Sequence, residues 1–331
     1  MFCLNVKQFF YTVAAIFSLN ACNYASLESD SLTDEGIKYY ETKNLSKAMA
    51  TLQTAVDRDS NNDRAHYQMA LIDMDYRDYK AAVPRLNQAI GVRDMPLYWY
   101  TLGLAHKGDG DTLVANGDAN GALASYTSCV YAMQQAVKRD TYYAEALLVQ
   151  GQCHIALEEY KEAVVALEAS IRANPMLMIK DGTVSNYDEL ARLYMKFGFL
   201  EEAVVVYVGA SFNNPGEPYL EIGLADVLLR LERNEEALAH FKLAYQQLEK
   251  KGDSKILELP AMIGVARSNE AIAKNMADKK DFIKAREKYI DAKDWYQRFA
   301  DSALIDSEKI RRAEALAHIK DIDEILRFEL F

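Results

Sequence analysis

The stretch AEALLVQGQCHIALEEYKEAVVALEASIRANP, residues 144–175, carries the pattern on which the fold turns. Gly151 stands 12 residues before Ala163, Leu167 follows Ala163 by 4, and Pro175 closes the run. The phrase returns as Ala191, Tyr194, Ala203, Tyr207, Ala210 and Pro215, and again as Ala225, Ala237, Phe241 and Ala244. Small residues 12 apart let two antiparallel helices approach closely. The bulky residue 4 further on shares a helix face with the second small one and fills the groove made with the next pair. Proline then stops the second helix, because it lacks an amide donor and clashes with the preceding turn. The unit is a helix–turn–helix, and it repeats.

The second small residue of each unit falls at Ala48, Ala82, Ala122, Ala163, Ala203, Ala237 and Ala285, with gaps of 34, 40, 41, 40, 34 and 48 residues. The first unit reads Gly36, Tyr39, Ala48, Leu52, Ala55, and the second His66, Met69, Ala70, Ala82, Leu86, Ala89. The third opens with Trp99, Leu102 and Gly103, then carries about seven extra residues, among which Gly108, Gly110, Gly117 and Gly121 fall. Each glycine costs about 1 kcal/mol in a helix interior, so this insert is expected as a surface loop. Residues 261–279 hold no proline and one glycine, which predicts a longer first helix for the seventh unit. Ile310, Ala313, Leu316, Ile319, Ile322 and Leu326 then recur at spacings of three and four, an amphipathic helix.

A helix–turn–helix unit of about 34 residues resembles the tetratricopeptide repeat (TPR) family. The resemblance implies an all-α, right-handed superhelical solenoid of about seven units over residues 32–303, with residues 304–331 as a C-terminal capping helix. It also implies a scaffold for peptides or protein surfaces rather than a catalyst.

Half of the 331 residues are apolar and six are proline, which suits an ordered helical protein. The formal net charge of −11 argues against nucleic acid, whose phosphates require clustered Lys and Arg, and against holding an anionic membrane by charge. Residues 1–21 read as a signal peptide: Lys7 and the free amine, an apolar core from Phe9 to Leu19, too short to span a bilayer, and then Leu19-Asn20-Ala21-Cys22. That ending resembles the bacterial lipobox, with Cys22 as the lipidated residue and residues 22–31 as a short tether. Asn23 is not the aspartate of inner-membrane retention, so the resemblance implies the periplasmic face of the outer membrane. Ordinary secretion and a retained segment remain the alternatives.

With Cys3 and Cys22 assigned to the amino terminus, Cys129 and Cys153 remain, the first at a small packing position and the second on the next helix; both a bridge and free buried thiols are open. His106 and His154 occupy inter-helix packing positions. Asp109, Asp111 and Asp118 lack the alternating ligands and closing glutamate of a calcium loop. No nucleophile–base pattern or phosphate loop stands out, and neither an enzyme, a cofactor, a metal nor a small-molecule substrate is expected. In TPR proteins three positions of each first helix line the concave face. Carried over, these are Tyr67, Leu71 and Met74; Tyr100, Leu104 and Lys107; Leu148, Gln152 and Ile155; Asp188, Arg192 and Met195; Ile222, Asp226 and Leu229. The set is apolar and aromatic in the first units and mixed in charge later, and it lacks the Lys and Asn of chaperone-binding members. It suits an amphipathic or extended peptide. The implied role is a lipid-anchored adaptor in assembly of an envelope machine, pilotin-like or in outer-membrane assembly. A secreted or surface binding protein and an adaptor presenting a cell-wall hydrolase are the competing roles.

Overall fold

The computed structural model describes residues 25–179, 184–252 and 255–328. The chain divides after Ala173 into two compact units. Unit 1 contains α1 (residues 25–41), α2 (Leu45–Arg58), α3 (Asp63–Asp75), α4 (Tyr79–Val92), α5 (Pro96–Ala115), α6 (Ala119–Arg139), α7 (Ala144–Ala156) and α8 (Tyr160–Ala173). Unit 2 opens with a minimal antiparallel pair, β1 (Met178–Ile179) and β2 (Val184–Ser185). It continues with α9 (Asn186–Lys196), α10 (Leu200–Asn213), α11 (Pro218–Arg230), α12 (Asn234–Lys251), α13 (Lys255–Asp278), α14 (Phe282–Ser302) and α15 (Lys309–Phe328). Helices α8 and α10 stop at Ala173 and Asn213, just ahead of Pro175 and Pro215, as those prolines require.

The seven ruler alanines occupy one structural position: each is the fourth residue of the second helix of a pair, and none is more than 2% exposed. Five residues before each lies a left-handed residue. These are Lys43, Arg77, Glu158, Glu232 and Lys280, with φ between 60° and 63°, and Gly117 and Gly198 at 80° and 78°. The following amide donates to a carbonyl five residues back in every case, for example Asn44 to Tyr39 and Asp281 to Met276, both at 2.9 Å. This closes the first helix with a left-handed cap and satisfies carbonyls that would otherwise lack partners. Asn44, Asp78, Asp118 and Asp281 then cap the second helix by accepting from a backbone amide three residues on.

The cores follow the pairing. One cluster joins α1, α2 and α3 around Leu52, Met69 and Ile72; the next joins α3 to α6 around Leu86 and Leu102; a third joins α5, α6 and α7 around Met133 and Cys153. First helices also touch one another in sequence, α5 with α7 in unit 1, and α9 with α11 and α11 with α13 in unit 2. They therefore form a layer within each unit.

Three expectations are corrected. Residues 25–31 of the expected tether are already helix α1, and Ser29 is fully buried, donating to the Ala55 carbonyl and receiving from the Asn62 amide group, both at 2.8 Å. The expected surface loop of the third unit is instead helix: α5 runs through Gly108 and Gly110, only residues 116–118 form the turn, and α6 starts at Ala119. The reason is close approach, since a Cβ on Gly108 would collide with the Tyr79 ring and one on Gly110 would come within 2.7 Å of the Tyr126 ring. In α15 only the later part of the expected stripe faces α14. Ile319, Ile322 and Leu326 pack there with Ala315 and Ile325, while Ile310, Ala313 and Leu316 are exposed. The α13 helix, at 24 residues, has the extra length expected of it, including Pro260 within its first turns. Cys22 and the signal segment lie outside the described residues.

Candidate partner-binding surfaces

In unit 1, Tyr67, Leu71 and Met74 on α3 and Tyr100, Leu104 and Lys107 on α5 are all half-buried. Their helices are fully buried on the opposite side through Met69, Ile72, Leu102 and Ala105. The tyrosines are ordered by one another. Tyr67 lies 4.9 Å from Tyr98 and Tyr100 lies 4.9 Å from Tyr143, centroid to centroid, and Thr101 Oγ1 reaches the Tyr67 hydroxyl at 3.5 Å. Burial pushes the Tyr40 hydroxyl up to about 12, helped by its hydrogen bond to Asp75. Burial also raises Tyr100, with the Glu145 carboxylate adding to it. Tyr67 adds a smaller share to the upward shift of Tyr40, Tyr98, Tyr100 and Tyr143. Tyr40 and Tyr143 were not among the residues expected here. Tyr40 is adjacent to the packing residue Tyr39, and Tyr143 immediately precedes α7, so the three-position rule passes over both.

Helix α7 corrects that rule at one point: Leu148 is fully buried and lines no surface, whereas Gln152 and Ile155 are half-buried. Lys107 is held by Asp111 at 2.8 Å. Tyr67 and Tyr100 also pack on core clusters, so they serve packing and surface together.

In unit 2 the expected residues converge on a pocket of about 410 Å³ to which α9, α10, α11, α13 and α15 contribute. Asp188 on α9 accepts from the Tyr207 hydroxyl at 2.8 Å and pairs with Arg192 at 2.7 Å. Met195 lines the same pocket, as does Ile222, although only 9% of Ile222 is exposed. Leu229 is half-buried and is not part of the lining. Asp226 is exposed to water yet ringed by protein. Desolvation raises its carboxyl, against the opposing pull of Arg230, Arg267, Arg192 and Arg311. Solvent contact moderates that crowding. Arg230, Arg267 and Arg311 were not foreseen. Arg230 stands four residues after Asp226 on one helix face, a legible signal, but Arg311 arrives from α15 and only folding brings it here.

The other polar residues weighed for chemistry have structural partners. Asp109 accepts from Ser125 at 2.6 Å, Asp111 from Tyr126 at 2.8 Å, and Asp118 caps α6. His154 Nδ1 lies 2.7 Å from Glu159, and burial lowers His106. Cys129 on α6 and Cys153 on α7 are joined by a disulfide. Among the described residues no group of His, Cys, Asp and Glu is arranged to hold a metal, and no helix is long and apolar enough to cross a membrane.

Residues 108–175 and 189–251 match the family model described as tetratricopeptide repeat, so these two segments carry the repeat. The structure is similar to the C-terminal part of a TPR repeat-containing protein from Cytophaga hutchinsonii. The two share 14% identity over 86% of this chain and 99% of that one, with a TM-score of 0.60. That likeness establishes the fold as an all-α TPR solenoid. The chain also overlaps pilF of Pseudomonas aeruginosa at 16% identity, 71% of this chain, 96% of that one and a TM-score of 0.48. A thermophilic TPR protein of Thermus thermophilus overlaps it at 18% identity, 61% of this chain, 99% of that one and a TM-score of 0.44. The comparison with curated protein sequences returned no match. The TPR fold is typically a non-catalytic scaffold for protein interaction.

Proposed function

We propose that the chain is a lipid-anchored periplasmic adaptor that binds a protein or peptide partner through its first-helix faces, in assembly of an envelope machine. The observation that carries the binding role is the half-open row on α3 and α5, where Tyr67, Leu71, Met74, Tyr100 and Leu104 leave apolar surface unfilled between fully buried neighbours. Aromatic side chains held this way carry a disproportionate share of interface energy, and the aliphatic ones beside them add complementary surface. The anchor and compartment rest on Leu19-Asn20-Ala21-Cys22. The disulfide between Cys129 and Cys153 agrees with an oxidising compartment. The placement in envelope assembly follows from the anchor and the scaffold taken together.

Two measurements test it. Cys22→Ser should abolish labelling by palmitate and release the protein from the membrane fraction or leave an uncleaved precursor; labelling that persists rejects the anchor. A photocrosslinking side chain at Leu71 or Leu104 should capture an envelope protein in living cells, while one at the exposed Gln88 on α4 should not. Equal capture from both positions removes the first-helix face as the binding surface.

A further inference from the structure

Unit 2 gathers guanidinium groups in a way that a chain of net charge −11 does not foretell. Arg192 from α9, Arg230 from α11 and Arg311 from α15 line one pocket, and Arg267 from α13 acts on the same Asp226 carboxylate. Their existing partners leave much of this charge unspent. Arg192 holds Asp188, whose other oxygen already accepts from Tyr207. Arg311 reaches Glu308 through one nitrogen at 3.5 Å. Arg230 and Arg267 make no ion pair or hydrogen bond with the described residues and act on Asp226 from a distance. All four arginines are exposed. Between them Met195, Ile222 and Pro260 supply apolar wall.

We propose that this pocket is a docking subsite for an acidic segment of a partner protein, with Arg192, Arg230 and Arg311 receiving the carboxylates of Asp or Glu side chains. The inference rests on the partner-binding role above and specifies the chemistry of one part of it. Guanidinium forks match carboxylates in geometry and bind them with two parallel hydrogen bonds. The apolar wall gives the stem and backbone of a peptide a surface that a bare ion would not use. Asp188 and Asp226 within the same wall oppose a densely charged polyphosphate, whereas singly charged carboxylates spaced along a chain can meet the arginines and avoid both. The arginines come from three helices that meet only in the folded unit, so the subsite is a tertiary feature.

The test uses the intact mature chain and a fluorescent, acetylated and amidated peptide of alternating Glu and Ala, with a Gln-for-Glu peptide as control. The Glu peptide should bind with an affinity that falls as salt is added, and the Gln peptide should bind at least about tenfold more weakly. Arg230→Gln should weaken binding about tenfold, with partial recovery in Arg230→Lys, while Asp226→Asn should tighten it several-fold by removing the competing anion. A thermal melt confirms that each variant folds, which the exposure of both side chains favours. Equal binding of the two peptides overturns the proposal. So does a common direction of change in Arg230→Gln and Asp226→Asn, or displacement by inorganic phosphate as effective as unlabelled peptide. If the peptide fails while crosslinkers at Leu71 and Leu104 still capture a partner, the acidic subsite falls and the adaptor role stands. If those crosslinkers fail while the peptide binds, the adaptor role falls.

Discussion

At the scale of single residues, the seven left-handed turn positions divide into two kinds. Gly117 and Gly198 adopt positive φ without a Cβ, while Lys43, Arg77, Glu158, Glu232 and Lys280 carry one. The left-handed conformation costs an ordinary residue about 1 kcal/mol, and glycine gives back part of that gain through its larger unfolded-state entropy. A Cβ at Gly117 would meet nothing within 4 Å, so any penalty there comes from the backbone alone. Gly117→Ala is therefore expected to cost about 1 kcal/mol in urea denaturation, and Glu158→Gly to be neutral or stabilising by less than that. If Gly117→Ala stabilises, as an alanine does inside a helix, the residue does not hold the turn. The sequence marks the alanine five residues beyond each turn, but it does not say that a charged residue takes the strained conformation in five of them. No local preference demands that; the close packing of the two helices it joins does.

At the scale of elements, α5 and α6 show a local rule overridden. Propensity says that Gly110→Ala should stabilise a helix by about 1 kcal/mol. The Tyr126 ring, 2.7 Å from where that Cβ would sit, is 6% exposed and tied to Asp111 through its hydroxyl, so it has little room to yield. Overpacking of this kind costs about 1–3 kcal/mol, and Gly110→Ala is expected to lower stability on balance. A more stable variant would refute the close-approach account. Ala203, fully buried at the fourth position of α10, makes the same point from the opposite side. Ala203→Leu should cost about 1–3 kcal/mol. Because each pair contacts its neighbours in sequence, amide hydrogen exchange should rise first and most over residues 184–251. Uniform acceleration throughout the chain would instead mean that the unit behaves as one cooperative globule.

At the scale of the whole molecule, the disulfide is the one covalent tie recorded among the described residues, and it joins α6 to α7 across 24 residues of chain. Loop-closure entropy for such a bridge corresponds to about 3 kcal/mol, within a measured range that reaches down to zero. Reduction with dithiothreitol should lower the melting temperature of the wild-type chain and leave Cys129→Ala with Cys153→Ala unaffected. An unchanged wild-type melt would show that the bridge adds nothing to stability. The two candidate surfaces also differ at this scale. In unit 1 the surface is aromatic and its tyrosines double as packing residues, whereas in unit 2 it is polar and its arginines are exposed. Truncating a unit 1 tyrosine thus confounds binding with stability, while replacing a unit 2 arginine does not.

The repeating alanines, the bulky residue four beyond them and the prolines at Pro175 and Pro215 were sufficient to determine the helix pairs, their number and where several of them end. Those features act within about one helical turn or between adjacent helices, where spacing along the chain translates directly into contact. Tertiary structure alone decided the rest. It kept Gly108 and Gly110 helical because aromatic rings from other helices occupy the space a side chain would take. It buried Leu148 at a position where the repeat rule expects exposure, and it drew residues 25–31 into the first pair through the Ser29 and Asn62 hydrogen bonds. It also carried Arg311 from the last helix to the pocket of Asp188 and Asp226. Each of these outcomes depends on atoms far apart in the chain sharing one volume, and spacing along a single helix does not say which distant side chain will fill it.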